Sequence, residues 1–408
     1  SRIDQNTAGA SLLGEEDYRA RPELNYAPIS YRRVGALRLS AAYERRGARS
    51  LLGVTPYARW NTMALLPDWM LAFDPVRYES WNASMGLLAR YRLELAPWRA
   101  RLVAGADVDH SPGGRREWAI VPARDGRVWT SYDDGPRLYD YRVTFHGVSP
   151  YLQVEASPLE RVRLLLAARY DRLGYDYDTR LEPVATGRHR RPADARVRHA
   201  RLSPKLGAAI DAGPALQLWT AYQQGFRVPS EGQLFRQGQA ENTVGLRPIR
   251  AENVEAGARG QLGPLGYEVV AYRLEKRDDI VTLRNPDGTR EVANAGRTLH
   301  RGVEVGLGVR PAGGLALEAS WSVARHSYEE WRPRPELDLA GREIEEAPRE
   351  IGSVRLTWSP AALTGASASL EWARVGPFWL DAENTHRYGG HDLLHLRAEA
   401  PVGRGFTA

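Results

Sequence analysis

Apolar and polar side chains alternate along this chain with a period of two. In residues 161–171, Val162, Leu164, Leu166, Ala168 and Tyr170 fall on one phase, and Arg161, Arg163, Arg169 and Asp171 on the other. Successive side chains of a strand point to opposite faces, so this pattern predicts a strand with one apolar and one polar face. The same division recurs at 302–310, where Val303, Val305, Leu307 and Val309 oppose Glu304 and Arg310, and at 393–400, where Leu394, Leu396 and Ala398 oppose His395, Arg397 and Glu399. Long amphipathic stretches of helical period are missing, and the pattern predicts an all-β protein.

Alternation alone suits a soluble sandwich as well as a membrane barrel. The connections separate the two. Strands are predicted near 31–44, 51–60, 81–93, 101–109, 143–157, 161–173, 197–211, 215–225, 250–262, 265–276, 300–310, 315–326, 350–359, 366–375 and 392–400. Short connections built on turn formers such as Ser157-Pro158, Gly263-Pro264 and Pro311-Ala312-Gly313-Gly314 take strict turns with long ones near 61–80, 110–142, 174–196, 226–249, 277–299, 327–349 and 376–391. Tight turns at one end and long loops at the other are the arrangement of outer-membrane barrels, whereas a compact soluble domain seldom carries loops beyond about 12–15 residues. The fold predicted is an antiparallel up-and-down transmembrane β-barrel, apolar phase toward lipid and polar phase toward the lumen. Tyr43, Tyr170, Tyr222, Trp321, Trp358 and Trp372 sit on the apolar phase near strand ends, where an interfacial aromatic girdle would place them. Charges interrupt every apolar run well short of the roughly 18 residues a spanning helix needs.

Composition adds little to that picture. With 43% apolar and 26% charged residues the chain would also suit soluble domains, and the lack of cysteine fits many compartments. The 56 basic residues include only two lysines, Lys205 and Lys276, so arginine carries the formal net charge of +6. Guanidinium groups suit phosphates and carboxylates, whether of lipopolysaccharide or of an anionic ligand. The run Arg188-His189-Arg190-Arg191 could suggest nucleic acid, but the arginines are spread along the whole chain and no nucleic-acid partner is expected.

Several short segments, in their order and spacing, carry a family resemblance. They are Ser149-Pro150-Tyr151-Leu152-Gln153-Val154-Glu155, Leu202-Ser203-Pro204-Lys205-Leu206-Gly207, Gln224-Gly225-Phe226-Arg227-Val228-Pro229-Ser230 and Gln233-Leu234-Phe235-Arg236. Ala251-Glu252-Asn253, Arg277-Asp278-Asp279-Ile280, Asn294-Ala295-Gly296 and Gly302-Val303-Glu304 follow. Together they resemble the barrel of TonB-dependent outer-membrane receptors of the siderophore and iron-chelate type, over essentially the whole chain. The resemblance implies a location in the bacterial outer membrane and uptake of a chelated nutrient, foremost a ferric siderophore. It implies energy from an inner-membrane TonB complex, and outer-membrane lipids and lipopolysaccharide as surroundings. Family barrels have 22 strands around a plug. The expectation for 1–408 is therefore a barrel portion without plug or final strands, about 15–16 strands forming an open, C-shaped wall with unjoined edges near 31–44 and 392–408.

Candidate chemistry is sparse. The nine histidines accompany no nucleophile motif, so no enzyme is expected. His391 and His395 would lie roughly 13 Å apart on a strand, too far to share a metal ion. Phe226-Arg227-Val228-Pro229 resembles an element of haem receptors, but 226–250 contain no histidine to ligate iron, which ranks haem below a siderophore; a cobalamin receptor is likewise less favoured. No cofactor is expected. Loop position nominates Trp69, Trp118, Trp129, Tyr132, Arg227, Arg236 and Trp331 as ligand-binding residues, since rings and guanidinium groups suit an anionic chelate. A passive, porin-type diffusion channel is the alternative.

Overall fold

The computed structural model describes residues 1–408 apart from 8, 10, 11, 214, 241, 285–289, 334, 335, 404, 405 and 408. Its wall begins with β1 (Arg2–Gln5), β2 (Tyr31–Ser40), β3 (Tyr43–Arg46), β4 (Ser50–Leu66), β5 (Val76–Leu95) and β6 (Ala100–Asp125). It continues through β7 (Val128–Leu159), β8 (Val162–Thr179), β9 (Ala195–Gly213), β10 (Leu216–Arg227), β11 (Ile249–Leu262) and β12 (Leu265–Arg284). Then follow β13 (Arg290–Val309), β14 (Leu315–Glu330), β15 (Glu350–Trp358) and β16 (Ser367–Val375). A small hairpin of β17 (Phe378–Trp379) and β18 (Arg387–Tyr388) separates β16 from β19 (His391–Glu399). Helix is confined to single turns such as α1 (Glu15–Ala20) and α2 (Glu231–Phe235), and no described helix is long and apolar enough to cross a membrane.

Every ladder of the 17-stranded sheet is antiparallel, and from β4 to β16 each strand pairs with its neighbours in sequence. As predicted, β8 lies between β7 and β9. β2 and β3 pair with the same strand, β4, on either side of residues 41–42. The sheet is open. β19 pairs with β16, and no ladder joins it to β1 or β2 among the described residues. The opposite edge is not bare as expected, because Arg2–Gln5 lie against Arg32–Gly35 and the Ser1 ammonium donates to the Ala36 carbonyl at 2.8 Å.

Residues directly opposite in a ladder point to the same side of a sheet, so register traces each face across the wall. One row runs Val162, Ile210, Leu218, Ala258, Val269, Val305, Trp321. Another runs Leu317, Leu356, Leu370, Leu396. The intervening phase is polar, with the row Glu318, Arg355, Glu371, His395. Arg163, Arg169, Glu304 and Arg397 share that polar face, and Arg163–Asp211 and Arg355–Glu371 are ion-paired there at 3.2 and 2.8 Å.

The long loops differ from the sequence prediction. Residues 110–125 and 128–142 continue as the hairpin of β6 and β7, and 277–284 and 290–299 extend β12 and β13 in the same way. Beyond an apolar band a strand is polar on both faces, so the alternation that betrays it vanishes while its backbone ladder continues. The three buried clusters form at this long-loop end. Tyr139, Tyr141, Tyr175, Tyr177, Leu234 and Phe235 make the largest, Ala27, Leu66, Leu71 and Ile120 the second, and Tyr328, Trp331 and Leu339 the third.

Candidate functional site

The site begins with the loop after β10, which folds back onto the polar face. Pro229 ends the strand, and Ser230 and Gln233 form a capping box that starts α2: Ser230 Oγ accepts from the Gln233 amide at 3.3 Å and Gln233 Oε1 from the Ser230 amide at 2.9 Å. That turn delivers Leu234 and Phe235, both fully buried, onto β7 and β8, where Phe235 stacks on Tyr177 with ring centroids 4.3 Å apart. The Tyr141 hydroxyl donates to Glu231. Burial raises the pKa of both groups.

The same turn places Arg236 over Glu117 of β6, a residue with no solvent exposure. Arg236 meets the carboxylate at 2.7 Å and Arg115 at 2.6 Å. Burial by itself would raise the Glu117 pKa, but the two guanidinium groups outweigh it and hold the carboxyl below its usual range. Beside them Tyr139 gathers the loops. Its hydroxyl donates to the Arg190 carbonyl at 3.1 Å and accepts from the Gly238 amide at 3.2 Å, the latter turned inward by a left-handed φ of 59°. Burial pushes the Tyr139 phenol up to about 12. His189 reaches Asp74 of the β4–β5 loop at 3.1 Å.

Together these loops enclose a cavity of about 480 Å³, lined by Trp69, Phe73, Tyr78, Tyr139, Arg115, Arg188, His189, Gln233 and Arg236 among others. Aromatic faces, amides and cations line it, a surface suited to an anionic ligand with flat, unsaturated groups. Arg188 is exposed, and among the described residues it has no ion-pair partner.

Of the residues nominated from sequence, the structure brings Trp69 and Arg236 to this cavity. Trp69 is 54% exposed; Arg236 is committed to Glu117. Trp118 stands on the opposite, apolar face, between the guanidinium groups of Arg77 and Arg137 at 4.1 and 5.4 Å. Trp129 and Tyr132 pack on the second cluster, as do Ile29 and Tyr31. Arg227 ends β10, exposed, and Trp331 is only 6% exposed in the third cluster, which leaves its ring little surface for a ligand. Sequence reasoning missed Tyr139, Arg115 and Glu117, which lie in strand where a loop was expected. The run Arg188–Arg191 was the one signal for the loop between β8 and β9, and it pointed elsewhere.

An open, up-and-down antiparallel wall with a continuous apolar face, and a polar face covered by inward-folded loops, defines the class as a membrane β-barrel wall. Residues 3–408 match the family described as TonB dependent receptor-like, beta-barrel, and the chain belongs to that family. Among solved structures it is similar to the ferric citrate transporter FecA in unliganded form, at 14% identity and a TM-score of 0.73, covering 96% of this chain and 58% of that one. The ferric yersiniabactin uptake receptor FyuA from Yersinia pestis matches at 14% identity and a TM-score of 0.68, covering 91% and 54%. The copper transporter OprC matches at 16% identity and 0.71, covering 92% and 58%. At these identities the likeness shows the fold, and the chain spans a little over half the length of each.

Proposed function

We propose that this chain is wall of an outer-membrane receptor that captures an anionic metal chelate, of the ferric siderophore class, at the long-loop end. The chelate then passes along the polar face with energy from an inner-membrane TonB complex. One observation carries the reading: on that face the exposed Trp69 ring and Tyr139 share a cavity with Arg188, Arg115 and Arg236. The family assignment supports a receptor over a porin-type channel. The cargo is not set by the wall itself, since the ferric citrate transporter FecA, the ferric yersiniabactin uptake receptor FyuA and the copper transporter OprC share one fold.

Titration of the full receptor with a panel of ferric chelates tests this. Arg188→Ala is expected to weaken an anionic chelate about tenfold or more, the scale of a hydrogen bond to a charged group, and to leave a neutral chelate unchanged. Trp69→Ala should weaken both. Equal affinity for anionic and neutral chelates, or uptake that persists in cells lacking TonB, would count against the proposal.

A further inference from the structure

Three neighbouring strands bring Met85, His110 and His146 into one row on the apolar face. Met85 stands directly opposite His110 in the ladder of β5 with β6, and His110 directly opposite His146 in the ladder of β6 with β7. Two residues toward the short turns the row gives way to Leu87, Val108 and Val148, all exposed. Opposed residues in an antiparallel ladder have Cα atoms about 4.5–5.5 Å apart, so the three side chains share one patch of surface.

The two imidazoles meet Nδ1 to Nδ1 at 3.2 Å. The far side of His146 is fixed. Its Nε2 donates to Asp176 of β8 at 3.0 Å, and Arg198 and Arg196 of β9 hold that carboxylate at 2.5 and 3.7 Å. A neutral imidazole that donates through Nε2 keeps its lone pair on Nδ1, which here faces His110. His110 has no other hydrogen-bond partner among the described residues, so its proton is free to move to Nε2 and leave a second lone pair aimed at the same point. Two nitrogens bound at about 2.0–2.1 Å to one tetrahedral ion lie about 3.3 Å apart, which matches the spacing of the rings. The other cross-strand pair, His300 and His326, stands on the polar face at 2.8 Å, the distance of a direct hydrogen bond.

Among the described residues no group of three His, Asp or Glu gathers around a point, so a third donor must be of another kind. Met85 supplies one. Its side chain is 55% exposed, unbranched and free to turn its thioether toward His110. A thioether beside imidazoles selects a soft ion, and Asp176 stands where the carboxylate behind a ligating histidine commonly does.

We infer that Met85, His110 and His146 form a binding site for Cu(I) on the outer face of the wall, with Asp176 orienting His146. All three ligands are neutral, so the bound ion brings one positive charge to the side of Asp176, where the apolar band gives way to charged residues. The site lies on the opposite face from the chelate cavity and is independent of the cargo proposed above.

Anaerobic titration of the full receptor with Cu(I), in competition with a chromophoric Cu(I) chelator, provides the test. Asp176→Asn should weaken binding about tenfold, the low end for groups behind a metal ligand, and His110→Gln or His146→Gln should weaken it further. X-ray absorption at the copper edge should show sulfur as well as nitrogen neighbours. Met85→Leu, a change at an exposed position that serves should the histidine variants not fold, should remove that sulfur signal and lower the preference for Cu(I) over Zn(II). Equal Cu(I) affinity in wild type and these variants, a sulfur signal that persists in Met85→Leu, or a loss seen in His300→Gln in place of His146→Gln would overturn the assignment.

Discussion

Glu117 shows how one residue decides the state of a loop. It lies at zero exposure with Arg115 and Arg236 on its carboxylate, and Arg236 comes from 119 residues further along the chain. Breaking a buried pair leaves an uncompensated charge at a cost of about 3–5 kcal/mol. Because Arg236 is about a third exposed, Arg236→Met should cost near the lower figure. Amide exchange across residues 228–248 would report it as lost protection confined to that loop. The pH dependence has a definite sign. A carboxyl whose folded pKa is depressed contributes stability that is present above its unfolded value and is lost as pH falls through the folded one. The Glu117 contribution, read as the difference in protection between wild type and Arg236→Met, should therefore be flat from pH 8 to about 5 and fall only below the usual carboxylate range, whereas Glu231, whose pKa burial raises, adds to the loop's protection as pH falls through its folded value. A loss centred near pH 6.5 would show that a different group holds the loop.

At the scale of the strand, the period of two does most of the positioning. Leu166, 57% exposed, lies in register with Val154 and Leu206 on the apolar face, and Arg163 lies opposite, paired with Asp211. Leu166→Arg should cost about 2–4 kcal/mol where the strand crosses lipid, and Arg163→Leu, which removes an exposed ion pair, no more than about 1 kcal/mol. Folding yields into lipid vesicles would compare the two. Similar costs for both would mean that the apolar face does not meet lipid. The faces were legible in the sequence because they depend on nothing beyond neighbouring residues. Strand length was not, because the ladders of β6 with β7 and of β12 with β13 run on past the apolar band, where no pattern marks them.

For the whole molecule the open edge dominates. β19 is exposed along nearly all its length, with Leu394 at 70% and Leu396 at 79%, and its outward backbone groups have no ladder partner among the described residues. Such an edge is costly in hydrocarbon and invites association in water. These 408 residues alone are expected to self-associate and to give no steady single-channel current in planar bilayers. Uniform, long-lived conductance from the purified chain would show that the sheet can close on itself.

By itself the sequence determined the all-β class, the places of the short turns, and the face on which each central-strand side chain lies, since these follow from local periodicity and turn chemistry. It also marked Trp69 and Arg236, though only as loop residues. Which groups meet was decided by tertiary structure: that Arg236 closes on Glu117 rather than on solvent, that Trp331 and Trp129 are spent on packing, and that Met85, His110 and His146 form one row. Such meetings depend on the register of separate strands and on the fold-back of loops, and no period along a single chain encodes the distance between residues that lie far apart in it.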